Sequence, residues 1–96
     1  MARKLKSIFT DDLTHCAYTG REGAEIHHII FGNPFYRKRC EEDGYIIPLS
    51  PEMHRGPHGV HFNISMDLDL KQTCQQHFEE THTREEFIRR YGKSYL

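Results

Sequence analysis

An α+β fold, a two-stranded hairpin packed against helices, is what this 96-residue sequence predicts, and three observations carry it. Two short runs rich in β-branched and aromatic residues, Glu25-Ile26-His27-His28-Ile29-Ile30-Phe31 and Tyr45-Ile46-Ile47-Pro48-Leu49, are bounded by turn and cap residues, as strands are. Met66, Leu70, Cys74 and Phe78 recur at every fourth position, which is one face of a helix. Thr83-Arg84-Glu85-Glu86 has the form of a capping box opening a last helix.

The elements follow in chain order. Residues 1–14 have no clear period and read as a basic N-terminal arm able to fold over the body. The first strand closes at Gly32-Asn33-Pro34, where Asn33 suits a cap and Pro34 a first helical position. A short helix then runs over residues 35–43 and stops at Gly44. After the second strand, Ser50-Pro51-Glu52 is a cap followed by proline, so a further short helix carries His54. Gly56-Pro57 ends it, because the residue before a proline is pushed out of the α region, and His58-Gly59-Val60-His61-Phe62 is expected as loop. The long helix starts at Asn63 or Ser65 and is the main core helix. The last has Phe87, Ile88 and Tyr91 on its inner side and Gly92 as its stop. The organisation is thus one domain over 1–96: an arm (1–14), a hairpin-helix module (25–62) and C-terminal helices (63–96).

Composition narrows the function. Charged residues at 28% against 36% hydrophobic, with a formal charge of -1, fit a soluble chain and exclude the bulk basicity of a protein that coats nucleic acid. Contacts to nucleic acid have to come from local patches, of which Arg37-Lys38-Arg39 is the densest. No apolar stretch follows the basic N-terminus, and no run spans a membrane, so neither a signal peptide nor a membrane partner is expected. Cys16, Cys40 and Cys74 are odd in number and form no CxxC, which argues for a reducing, cytoplasmic setting. A chain this short buries a small core, and a metal ion is a useful staple for it.

Histidine is the outlier, eight of 96 residues against roughly two per cent in an ordinary chain. The order strand with His27-His28, turn, strand, short helix with His54 brings imidazoles from two elements toward one point. Successive strand residues face opposite sides, so His27 and His28 diverge: if one binds a metal, the other is free for a second role. A phosphodiesterase site needs a cation for the charge on the phosphate and a base for the attacking water. Histidine suits the base, since an unperturbed imidazole titrates near about 6.5.

The segments Glu25 to Ile30 and Tyr45 to His54 together resemble the His-Asn-His (HNH) endonuclease family, whose site is a β-hairpin plus helix around one metal. Gly59-Val60-His61-Phe62-Asn63 and the ending Phe87 to Leu96 resemble, more narrowly, short phage- and prophage-encoded proteins of this type. The resemblance covers residues 16–96 and implies a ββα-metal module, DNA as substrate and the cytoplasm of a bacterial host as location. Carried over by position, it makes His27 and His54 metal ligands and His28 the general base. Some family members place a further ligand at the position of His58; His61 in its own run competes for that role. The family's middle asparagine, which helps hold the base histidine, falls near Tyr45, where no Asn stands; Asn33 and Asn63 are the alternatives. The zinc knuckle that often accompanies the family would fall on Cys16, Thr19, Ser50 and Met53. One thiol in four positions does not close such a site, so its absence is expected.

Other assignments rest on the residues alone. Arg55, beside His54, suits a clamp on the scissile phosphate, and Arg37, Lys38 and Arg39 suit contacts with backbone phosphates. His15, His77 and His82 read as surface or partly packed, and Cys74 as core. Neutral imidazoles favour Zn²⁺, Ni²⁺, Mn²⁺ or Co²⁺ over Mg²⁺. The expected function is a metal-dependent DNA endonuclease or nicking enzyme, with homodimerisation left open. The alternatives are a non-catalytic, metal-stapled module binding nucleic acid or protein, and a small protein that binds a host partner.

Overall fold

The computed structural model describes residues 4–96. The fold is α+β: a two-stranded antiparallel sheet and four α-helices, in the order β1 (Glu25–His28), α1 (Pro34–Asp43), β2 (Ile46–Leu49), α2 (Pro51–Arg55), a 3₁₀ turn (Val60–Phe62), α3 (Ile64–Glu79) and α4 (Arg84–Tyr91). No helix among the described residues is long and apolar enough to cross a membrane.

β1 is shorter than the sequence pattern suggests. It pairs with β2 in the register Glu25 to Leu49, Ile26 to Pro48, His27 to Ile47 and His28 to Ile46, then leaves the sheet. Ile29 and Ile30 continue inward from a bend and are fully buried, so their apolar character serves the core and not the ladder. Every residue of β2 is buried, as a strand covered on both faces must be. Part of that cover is the N-terminal segment. Ile8 donates its amide to the Gly44 carbonyl at 2.9 Å, the Ser7 hydroxyl donates to the Ile46 carbonyl, and Leu5, Ile8, Phe9 and Leu13 pack on the core. Residues 1–3 of the expected arm lie outside the described residues.

The helix caps follow the sequence signals. Asn33 accepts from the Phe35 amide at 2.9 Å, Asn63 from Met66 at 3.1 Å, and Thr83 with Glu86 forms the reciprocal capping box of α4. On α3, Leu70, Cys74 and Phe78 are buried and Met66 partly so. Ile88 of α4 is a correction: at 39% exposed it faces outward, leaving Phe87 and Tyr91 as the inner pair.

α1 ends in Glu41-Glu42-Asp43 with no basic residue in its last turn, an unfavourable match to the helix dipole. Arg90 of α4 compensates, donating to Asp43 at 2.7 and 3.1 Å and to Glu42 at 2.8 Å, while the Tyr91 hydroxyl donates to Asp43 at 2.6 Å. Gly92 closes α4 with φ of 90°, and an added Cβ there would collide with the Tyr36 hydroxyl. This clamp and the ring contacts Tyr45–Tyr91, Phe87–Tyr91 and Phe78–Phe87 fix the sheet against the helical layer.

Candidate metal centre

His27 comes from β1, His54 from α2 and His61 from the 3₁₀ turn. Their ring centroids stand 5.1 Å (His27 to His54), 5.1 Å (His27 to His61) and 5.0 Å (His54 to His61) apart. One ligand nitrogen of each lies within 4.8 Å of the others, close enough that the three could hold one metal ion. The chain between His54 and His61 has to turn tightly for this. Gly56 and Gly59 permit it by close approach: a Cβ on Gly59 would sit 2.6 Å from the Met53 carbonyl oxygen, and one on Gly56 would strike that of Glu52. Buried Val60 then anchors the turn, and His61 projects back toward α2.

The donor set fits a transition metal on its own chemistry. His27 is 2% exposed, and its Nε2 has no hydrogen-bond partner, an expensive state for a buried polar atom unless something binds it. Burial first, then the neighbouring imidazoles of His54 and His61, push its pKa down to about 3, so the ring is neutral with lone pair available. His54 directs Nδ1 at Glu25 Oε1, 2.8 Å away. The hydrogen bond from His54, with the Arg55 guanidinium, holds the Glu25 carboxyl below the usual carboxylate range. An ionised carboxylate only accepts, so Nδ1 carries the proton and Nε2 is left as the ligand atom, the carboxylate–histidine arrangement typical of metal sites. Glu25 was a residue the sequence reading passed over, although its i, i+2 relation to His27 places both on one strand face.

His28 points elsewhere, as strand alternation requires. Half-buried, it directs Nε2 at Glu41 Oε2 of α1, 2.7 Å away. Glu41 therefore orients the His28 ring. Asn33 and Asn63, the alternatives for that task, are engaged as the caps of α1 and α3.

His58 is exposed on the turn after Gly56 and is not in the three-imidazole group. Arg55 forks onto Glu25 through Nε at 3.0 Å and Nη2 at 2.6 Å, so in this state it supports the carboxylate that orients His54. Arg37 and Lys38 are exposed, whereas Arg39 is half-buried and donates to the Arg90 carbonyl at 2.8 Å. His77 meets the Tyr45 hydroxyl at 3.1 Å, His82 stacks on Phe78, and His15 pairs with Asp12 at 2.7 Å. At the knuckle positions the Cys16 thiol stands among hydrogen-bond donors. Burial pushes it up, but the Thr19 hydroxyl and the backbone of Ser50, Thr19 and Tyr18 outweigh that and bring it down to about 7. Cys40 and Cys74 are buried free thiols, and among the described residues the metal-binding group found contains no cysteine.

Compared with protein-family models, with curated proteins and with solved structures, the chain matches none of them.

Proposed function

We propose that this protein is a metal-dependent DNA endonuclease or nicking enzyme built on a ββα-metal module of the HNH type. One observation carries the reading: adjacent histidines on β1 are given different partners, His27 joining His54 and His61, and His28 being oriented by Glu41. His27, His54 and His61 would hold one divalent transition metal, with Zn²⁺, Ni²⁺, Mn²⁺ or Co²⁺ preferred over Mg²⁺ by the all-nitrogen donor set. Such a cation neutralises charge that builds on the phosphate and its leaving oxygen.

The chain's own residues supply the proton chemistry. With Nε2–H donated to the Glu41 carboxylate, Nδ1 of His28 keeps the lone pair that would accept a proton from the attacking water. Glu41 fixes the tautomer and stabilises the imidazolium that results. Glu25 does the corresponding work for His54, fixing the ring orientation that would present Nε2 to the metal. Bacterial cytoplasm and phage or prophage origin belong to the same proposal.

The test is nicking of a supercoiled plasmid in Mn²⁺, Ni²⁺ and Zn²⁺, with metal content measured alongside. His28→Ala is expected to keep the metal and lose cleavage, while His54→Ala loses both. Glu41→Gln, which leaves the ring in place with a weaker acceptor, should lower the rate about ten- to a hundredfold at unchanged metal content. If His28→Ala nicks as fast as the parent, the base is assigned wrongly. No nicking in any metal, with metal-dependent melting retained, identifies the site as a staple for the fold.

A further inference from the structure

A depression opens where the chain leaves β1 and enters α1. About 330 Å³ in volume, it is lined by His28, Ile30, Phe31, Asn33, Pro34 and Arg37. The proposed base thus forms one wall of a pocket that is apolar on one side and cationic on the other. We propose that this pocket receives one unpaired base of a DNA strand, so that the substrate is single-stranded or locally opened DNA; this rests on the nuclease reading of His28.

Three features support that occupant. Phe35, next after the pocket-lining Pro34, is 67% exposed with the Arg39 guanidinium 5.8 Å from its ring centre, and Phe31 is 43% exposed with Lys71 Nζ 4.2 Å over its ring, although a chain this short has every reason to bury phenylalanine. Bases stack on such rings only when their own faces are uncovered, which duplex stacking prevents. Second, Arg37 and Lys38 make no ion pair with any described residue, so both charges are available to phosphates flanking the lodged base. Third, the Asn33 side-chain oxygen is engaged by the Phe35 amide, which leaves the Asn33 NH₂ as a donor for the acceptor-rich edge of a base. Phe31 also meets the rings of His27 and His61, at 5.9 and 5.5 Å, so a base stacked there lies beside the metal-binding group.

The experiment is fluorescence anisotropy of the zinc-loaded full chain with a labelled DNA oligonucleotide of ~12 nucleotides, within the usual site size, against its duplex and its RNA counterpart. The single strand is expected to bind at least about tenfold more tightly than the duplex. Phe35→Ala and Arg37→Ala, both at exposed positions, should each weaken single-strand binding about tenfold with metal content and circular dichroism unchanged. Phe31→Leu keeps apolar bulk beside the metal site and should reproduce the loss. Equal affinity for duplex and single strand, or a Phe35→Ala protein that binds as the parent does, overturns the proposal; tighter binding of RNA overturns the assignment to DNA. Single-strand binding without plasmid nicking removes the nuclease reading and leaves the pocket's ligand standing, whereas nicking with no strand preference does the reverse.

Discussion

The hairpin is held at its two sides by different means. Toward α4, the Asp43, Arg90 and Tyr91 groups satisfy one another, and the aromatic rings beneath them close a conventional core. Toward α2 and the 3₁₀ turn, three imidazoles face one another around the partnerless Nε2 of His27. The first arrangement is complete in the polypeptide; the second leaves a buried imidazole nitrogen without a partner, and a bound cation would complete it. The loop differs too: residues 56–62 carry two glycines and bury one apolar side chain, Val60, so an ion gripped by His61 would add to a sparse anchorage.

The largest effect expected from this difference is on removal of metal. At free metal a thousandfold above its Kd, binding stabilises the fold by about 4 kcal/mol, and a chelator should lower the melting temperature accordingly. His54→Ala should melt at or below the chelated parent, since it also loses the bond to Glu25, and should ignore the chelator. Hydrogen exchange should rise first in α2 and residues 56–62. A parent protein whose melting is indifferent to both zinc and chelator would show that the two sides do not differ as argued.

Tyr91→Phe probes the complete side. It removes the hydroxyl donated to Asp43 at 2.6 Å while the ring stays packed, for a cost of about 2 kcal/mol. Because the two sides share no polar partner, that cost should be the same with metal bound or chelated. A cost that vanishes on chelation would mean that the clamp forms only once the ion is in place.

The complete side was also the more legible one. Capping box, helical stripe and glycine stops are local signals, and they placed α3 and α4 to within a residue or two, apart from the outward turn of Ile88. The hairpin was legible from β-branched runs, but not the point where β1 leaves the ladder, since Ile29 and Ile30 look the same in a strand and in a buried bend. Period-two alternation separated His27 from His28. The choice between His58 and His61 was not readable, because it turns on a tight loop whose path depends on contacts of Gly56 and Gly59 with α2 carbonyls. Glu41 was hidden for a similar reason: it lies 13 residues from His28 and meets it only because α1 folds back over β1.

An effect that is small near neutral pH distinguishes the cysteines. Cys16, beside the cap of α2, is held down to about 7, whereas burial pushes Cys40 up to about 11. For Cys16 the folded value lies below the ordinary thiol value of 9.0, so the native state favours the thiolate. The resulting stabilisation is complete above pH 9.0, falls as pH drops from there and is gone below about 7. The slope between those limits is at most about 1.4 kcal/mol per pH unit. Denaturation at several pH values in that window, parent against Cys16→Ser, should show a difference that widens with pH, together with thiolate absorbance appearing near neutrality. A pH-independent difference would mean that the hydrogen bonds around Cys16 do not favour its charged form.

The smallest effect belongs to the most conspicuous cross-link on the metal side. Arg21 reaches Glu52 at 2.8 Å and joins the loop after Cys16 to α2, as if bracing the helix that carries His54. Both side chains are largely in water, however, at 65% and 62% exposed, where solvent screens the attraction and fixing two long chains costs entropy. α2 is instead positioned by the Ser50 cap, by Gly56 and by the bond from His54 to Glu25, none of which involves Arg21. Arg21→Ala should therefore change stability by less than about 0.5 kcal/mol and leave metal affinity as it was. A loss above about 1 kcal/mol, or weaker metal binding measured by competition with a chromogenic chelator, would make this surface pair part of the site's support.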